Sequence, residues 1–247
     1  MRTPLPFLFL CLLLPLAGTA AQADVYDDAV ANVYRPDADR SRDLENKPAD
    51  LMRFARIAAG ETVLDLFAGG GYFSELLGFV VGPTGTVLMH NNLAYQGFAG
   101  EGIAARLVDG RLANVTGVFA ELEDLGIPEH SVDVIWVSMA YHDVYYVADG
   151  WTVTPDTFFP ALRSVLKPEG RIIVIDHLGS TGTGSSLGNT LHRIDPEFTK
   201  ADFAAHGFRF VEESGVLANP ADDLSKNVFD PAIQGKTAKF VFRFAPQ

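Results

Sequence analysis

The sequence predicts an α/β fold: a doubly wound sheet of about seven strands, mostly parallel, with an antiparallel last strand. Three observations carry this. Short, mainly apolar runs such as Thr62 to Phe67 and Arg171 to Asp176 alternate with longer stretches of helical spacing. Strands apolar on both faces belong to a sheet covered on both sides, which is the parallel arrangement. The last two strand-like segments are joined by residues 214–236 without a crossover-helix pattern, so the final strand is expected to turn back.

The elements follow in order. Residues 24–47 are polar and mixed, broken at Arg35-Pro36-Asp37, and read as an N-terminal arm with some helix. From Pro48 to Ala59, Leu51, Met52, Phe54, Ala55 and Ile57 have amphipathic spacing, and Gly60 ends the helix. Thr62 to Phe67 is a buried strand, Ala68 to Gly71 a glycine-rich turn, and Tyr72 to Val81 a helix. Thr86 to His90 is the second strand, and Leu93 to Leu107 a helix interrupted by glycines. Val115 to Ala120 and Val132 to Ser138 are strands three and four, followed by a helix from Pro155 to Leu166. Lys167-Pro168-Glu169-Gly170 reads as a tight turn before the fifth strand, Arg171 to Asp176. Asp195 to His206 is a helix; Phe208 to Glu213 and Thr237 to Phe244 are the last strands. No repeat or interdomain linker is visible, so residues 24–247 read as one domain.

Composition narrows the function. The 247 residues are 48% hydrophobic and 20% charged, enough apolar mass for a real core. The net charge is −12, with no basic block, which argues against nucleic acid and anionic membrane surfaces as partners. Residues 1–23 carry Arg2, an uncharged run from Leu5 to Leu16, and a small-residue tract ending Ala21-Gln22-Ala23. This is the pattern of a secretory signal peptide cut near Ala23, and the apolar run is short for a stable membrane span. A periplasmic or secreted location is expected. Cys11, the one cysteine, lies inside that segment, so the mature chain has no disulfide, Cys-based zinc site or Cys nucleophile.

The chemistry starts at the first strand. Val63 to Phe73 places Asp65 near the strand end and Gly69-Gly70-Gly71 in the turn into a helix. Glycines let a backbone approach a ligand closely, and a helix N-terminus favours an anionic group. The dinucleotide fingerprint fails, because its third glycine position holds Ser74; a nicotinamide oxidoreductase is therefore disfavoured. Tyr141-His142-Asp143 follows strand four, and Asp176-His177 ends strand five, with His192 further on. His142 is the first choice as a base or acceptor-orienting group; a histidine hydrogen-bonded in a loop is the competing reading. These histidines, Asp143 and Asp176 are metal-ligand types, but their scattered spacing predicts no metal site. Tyr145, Tyr146 and Trp151 read as an aromatic wall or as half-buried packing. Gly179 to Ser186 reads as a lid or a plain loop.

Val63 to Phe73 resembles the first motif of the class I S-adenosylmethionine-dependent methyltransferases. Glu121 to Asp133 is similar to that family's acidic segment, and Leu162 to Arg171 to its Arg-x-Leu-Lys-Pro-Gly-Gly turn. The chain also resembles an exported bacterial group of predicted methyltransferases, in which Tyr141-His142-Asp143 and His192 to Pro196 look typical. The resemblance implies a Rossmann-like fold, S-adenosyl-L-methionine as cofactor and a small-molecule acceptor. It assigns Asp65 to orienting the glycine loop and to the methionine amino group, and Phe67, Ala68, Gly69 and Gly71 to the cofactor face. Glu121 would accept from adenine N6, and Leu122 would offer its backbone N–H. His142, Asp143 and His177 are the catalytic candidates. One departure matters. Where the family usually has an acid for both ribose hydroxyls, Leu88-Met89-His90-Asn91-Asn92 offers Asn91. Losing a charge-assisted bond costs on the order of 1 kcal/mol, roughly tenfold in affinity, so weak cofactor binding is expected. Because export separates the chain from cytosolic cofactor, a methyltransferase-like binding protein, or a different reaction on the same fold, is the alternative.

Overall fold

The computed structural model describes residues 24–247, so the expected signal segment and Cys11 lie outside the described residues. The arm folds into three short helices, α1 (Val25–Ala31), α2 (Asp37–Arg40) and α3 (Asp43–Asn46). The Asp24 carboxylate caps α1, accepting from the Tyr26 and Asp27 N–H groups. Helix α4 (Pro48–Ala55) starts on proline, whose missing N–H costs nothing in a first turn, and stops where Arg56 turns left-handed at φ 56°. It is shorter than its apolar spacing predicts.

The sheet is formed by β1 (Thr62–Leu66), β2 (Thr86–Asn91), β3 (Val115–Phe119), β4 (Val132–Ser138), β5 (Leu166–His177), β6 (Phe208–Ser214) and β7 (Lys239–Pro246). The connecting helices are α5 (Tyr72–Val81), α6 (Leu93–Leu107), α7 (Pro155–Val165), α8 (Gly188–Leu191) and α9 (Pro196–Ala205). Strand order is β3-β2-β1-β4-β5-β7-β6, parallel from β3 to β5, with β7 antiparallel to both neighbours. The order reverses between β1 and β4, which opens a crevice at the C-terminal ends of those strands.

Strand alternation divides the core into two layers. Val63, Val134, Trp136, Ile173 and Ile175 face one side, where they pack with Met52, Leu76 and Leu77 of α4 and α5. Leu64, Ile135, Val137, Ile172 and Val174 face the other, against Phe158, Phe159 and Leu162 of α7 and Phe203 of α9. Every one of these strand residues is essentially inaccessible to water, which explains the near-continuous apolar runs.

One local expectation is corrected. Lys167 to Gly170 is a bulge inside a single strand β5, not a turn before it: the β4 pairing passes from Val132–Leu166 directly to Val134–Arg171. Gly170 lets the bulge close tightly, because a Cβ there would lie 2.5 Å from Leu166 Cδ1 and 3.0 Å from the Lys167 carbonyl. Residues 214–236 contain no helix, and the buried Arg193–Asp222 ion pair at 2.8 Å pins that connection to the body. No helix among the described residues is long and apolar enough to cross a membrane.

Candidate functional site

A cavity of about 950 Å³ occupies the crevice at the strand-order reversal. Its floor is the turn after β1 (Phe67 to Gly70), the end of β4 (Ser138 and Met139) and His177 at the end of β5. Phe67, Met139 and His192 all line it and all hold left-handed φ angles of 53–57°, a conformation that costs non-glycine residues roughly 1 kcal/mol or more.

The glycine turn is fixed mainly from β2. Asn91 reads the Gly69 peptide from both sides: the Gly69 N–H donates to Oδ1 at 2.9 Å, and Nδ2 donates to the Gly69 carbonyl at 3.0 Å. The Ala68 N–H donates to the His90 carbonyl at 2.8 Å. His90 is buried and its pKa falls to about 4 because burial disfavours the cation. The neutral ring uses Nε2–H on the Ala120 carbonyl at 2.9 Å, leaving Nδ1 to accept from the Phe67 N–H at 3.4 Å. Arg106 holds the turn from the other side. It donates to the Gly70 carbonyl at 2.9 Å and pairs with Glu75 of α5 and Asp39 of α2. Asp39 and Arg42 thereby bring the arm to the cavity wall.

Asp65 lies one layer below the cavity. It is 2% exposed and accepts from Ser74 Oγ at 2.6 Å, joining β1 to the first turn of α5. Burial raises its carboxyl to about 7, a shift that Ser74 and Arg106 only partly oppose. Gly71 also stands behind the cavity, with φ 78°; a Cβ there would lie 2.8 Å from Met89 Cε. Asn91, the expected ribose clasp, is fully buried and bonds the Gly69 peptide with one lone pair of Oδ1 and one hydrogen of Nδ2. Glu121 likewise accepts from the Leu93 N–H at 3.1 Å and from Thr152 Oγ1 at 2.6 Å, and Leu122 is buried beneath it. Of the expected cofactor residues, Phe67, Ala68 and Gly69 line the cavity; Asp65, Gly71, Asn91, Glu121 and Leu122 do not.

At the other end of the cavity the fold gathers residues far apart in sequence. Asp176 accepts from the His142 N–H at 2.7 Å and from the His177 N–H at 2.7 Å, and its Oδ1 lies 2.8 Å from His142 Nδ1. Burial pushes the His142 imidazole down, but the Asp176 carboxylate outweighs it and the net shift is upward. Asp176 is correspondingly held below its usual range, since His142 outweighs burial. His142 Nε2 faces His192 Nδ1 at 3.2 Å and Asp143 Oδ1 at 3.3 Å. Asp143 Oδ2 accepts from Tyr95 OH at 2.6 Å. His177 is pushed well below its ordinary value by burial, and its Nδ1 contacts Thr237 Oγ1 at 2.8 Å.

Aromatic residues enclose the space between these ends. Phe67, Tyr95 and Trp151 contact one another, with Phe67 and Tyr95 centroids 5.2 Å apart, and Tyr146 stacks on His192 at 5.7 Å. Tyr146 and Trp151 line the cavity, whereas Tyr145 turns away and, with Tyr141, donates to Asp202. The Gly179 to Ser186 loop is tied down rather than free: the Gly182 N–H donates to Asp195 Oδ2 at 2.6 Å and the Gly179 N–H to the Ile194 carbonyl at 2.8 Å. Sequence reasoning missed Asp39, Arg42, Tyr95, Phe98, Arg106, Ser138 and Met139. None carries a motif; Ser138 and Met139 have only their position after strand four as a signal.

No protein-family model matches the chain. Among curated proteins, the ubiquinone/menaquinone biosynthesis C-methyltransferase UbiE of Ectopseudomonas mendocina (strain ymp) is 32% identical over 127 residues, 49% of this chain and 43% of that protein. The protein of the same name from Pseudomonas fluorescens (strain Pf0-1) is 32% identical over 124 residues, with the same coverage. The match thus spans less than half the length of these relatives. Among solved structures, a SAM-dependent methyltransferase from Aquifex aeolicus aligns with TM-score 0.60 and 20% identity, covering 83% of this chain and 92% of that one. The geranyl diphosphate C-methyltransferase of Streptomyces coelicolor A3(2) aligns with TM-score 0.55 and 13% identity, covering 91% and 88%. The chain has the fold of the class I S-adenosylmethionine-dependent methyltransferases.

Proposed function

We propose that this chain is an exported S-adenosylmethionine-dependent methyltransferase acting on a small-molecule acceptor. The observation that carries the reading is that the glycine-rich turn after β1 and the histidine cluster after β4 open into one cavity at the strand-order reversal. The cavity also has an unmet polar group in its wall: Ser138 Oγ is buried and has no hydrogen-bond partner. A ligand rich in polar atoms fits that requirement, since an orphaned buried hydroxyl costs about 1–3 kcal/mol. Phe67 to Gly70 and Ser138 are the residues that would hold the cofactor, with Tyr95 and Trp151 as aromatic walls for its cationic and planar parts.

When bound, S-adenosylmethionine supplies an electrophilic methyl group on a sulfonium sulfur. The chain's own residues do the rest. The Asn91 and Arg106 contacts fix the turn. Asp176 fixes the His142 ring, the cluster receives the acceptor, and the aromatic walls exclude water. A volume of about 950 Å³ and a net charge of −12 favour a small acceptor over nucleic acid. The leader-like pattern of residues 1–23 supports export.

A second reading keeps the fold but not the transfer: a binding protein for another ligand. Asn91 favours it, because its amide is buried against Gly69 and the β2 end offers no carboxylate to a ribose. Calorimetric titration of S-adenosylmethionine and S-adenosylhomocysteine into the chain separates the two. Saturable one-to-one binding is expected; no heat up to millimolar ligand refutes the transferase reading.

A further inference from the structure

We propose that His142 Nε2, His192 Nδ1 and Asp143 Oδ1 form a binding site for a divalent first-row transition cation of the Zn²⁺ type, open to the cavity. One ligand atom from each of the three residues lies within 4.8 Å of the other two. Two atoms bound at 2.0–2.1 Å with tetrahedral angles are about 3.3 Å apart. The measured separations from His142 Nε2 are 3.2 Å to His192 and 3.3 Å to Asp143.

The lone pairs make the same demand. The Asp176 carboxylate only accepts, so the His142 proton facing it sits on Nδ1. His142 Nε2 then faces a carboxylate oxygen and a second imidazole nitrogen. One proton on Nε2 would have to be split between both neighbours, whereas a cation among the three satisfies all of them. The supporting shell is present as well. Asp176 orients His142 in the carboxylate–histidine arrangement typical of metal ligands, and Tyr95 OH occupies the second oxygen of Asp143 at 2.6 Å.

Two imidazoles and one carboxylate select a first-row transition cation over Mg²⁺ or Ca²⁺, which prefer all-oxygen sets. Three protein ligands leave a fourth position, and all three residues line the cavity. The role of that position rests on the methyl-transfer reading; the site itself does not. An acceptor hydroxyl, thiol or amine ligated there loses its proton to water more readily. Its lone pair then bonds to the methyl carbon while the C–S electron pair returns to sulfur, leaving a neutral thioether.

The test uses tag-free full chain stripped with chelator, then titrated with Zn²⁺ by calorimetry and with Co²⁺ by visible absorption. One Zn²⁺ per chain and the intense d–d bands of four-coordinate Co²⁺ are expected. His192→Ala and Asp143→Asn should each weaken binding by about 100-fold or more, while His130→Ala, remote from the cavity, should not. Near-ultraviolet circular dichroism establishes that each variant is folded. Substoichiometric uptake, or equal affinity in the cluster variants and the unaltered chain, overturns the site. Parallel S-adenosylmethionine titration keeps the two readings apart: cofactor binding without metal binding refutes this site alone, and metal binding without cofactor binding refutes only the transferase reading.

Discussion

Asp65→Asn isolates the energetic consequence of a carboxyl buried beneath a ligand turn. Asparagine keeps the shape and still accepts from Ser74 Oγ, which is 2.6 Å from Asp65 Oδ2. What changes is titration. The folded pKa of Asp65 is raised to about 7 against an unfolded value of 3.8. Between those values the folded chain holds a proton that the unfolded chain has released. Stability is therefore full below about pH 4, falls as pH rises toward 7, and levels off above it. Integrated between pH 5.5 and 8.5, with one pH unit worth about 1.4 kcal/mol, the loss is about 2 kcal/mol. That range also avoids the acid region in which a chain of net charge −12 approaches neutrality and self-associates. The assay is urea unfolding of both proteins at several pH values, followed by circular dichroism and tryptophan fluorescence. The wild-type-minus-variant difference should shift by about 2 kcal/mol toward the variant across the range, at constant m-value. A difference independent of pH, or one favouring the wild type as pH rises, would refute the claim that burial governs this group.

Three further outcomes follow from named contacts. Gly71→Ala should cost about 1–3 kcal/mol in chemical denaturation, because it combines φ 78° with a Cβ 2.8 Å from Met89 Cε. Asp222→Ala should cost about 3–5 kcal/mol, since it strands the fully buried Arg193 guanidinium; thermal melting and proteolysis across residues 214–236 check it. Asn91→Ala removes two hydrogen bonds to the Gly69 peptide and should loosen the turn by about 1–3 kcal/mol. Its signature is faster amide exchange at Gly69 and at least tenfold weaker S-adenosylmethionine binding. Unchanged exchange would show that the turn is held without it.

The fold was legible because burial leaves a periodic trace. Strands β1, β4 and β5 are covered on both faces at their centres, where Val63-Leu64, Val134-Ile135 and Ile172 to Ile175 are Val, Ile and Leu. The antiparallel β7 was legible from the missing crossover helix in residues 214–236. The β5 bulge was not. Lys167-Pro168-Glu169-Gly170 has the composition of a turn, and only the pairing of β4 with residues on both sides of it shows otherwise. Likewise α4 stops at Arg56 although its apolar spacing continues, because Ile57 is buried by a backbone that has already left the helix.

The site divides along the same physical line, between what one segment can do and what the tertiary fold must assemble. The glycine turn is local: its residues, its strand and its helix are contiguous, so its placement could be read. Roles that depend on a partner could not. Only the fold brings Gly69 against Asn91 at 2.9 Å and Thr152 against Glu121 at 2.6 Å, contacts that no local pattern shows. The histidine cluster is the same effect with the opposite sign. His142 and His192 are fifty residues apart. Spacing argued against their chelating anything, because chelating motifs are recognised by short intervals on one helix or turn. Here the interval is closed by the sheet. β5 carries Asp176 to the backbone of His142, and the Leu178–Ile194 bridge brings the segment bearing His192 back alongside. A scattered set of polar residues at the C-terminal edge of a parallel sheet is therefore poor evidence against a joint site, since every strand of such a sheet delivers its next residues to the same crevice.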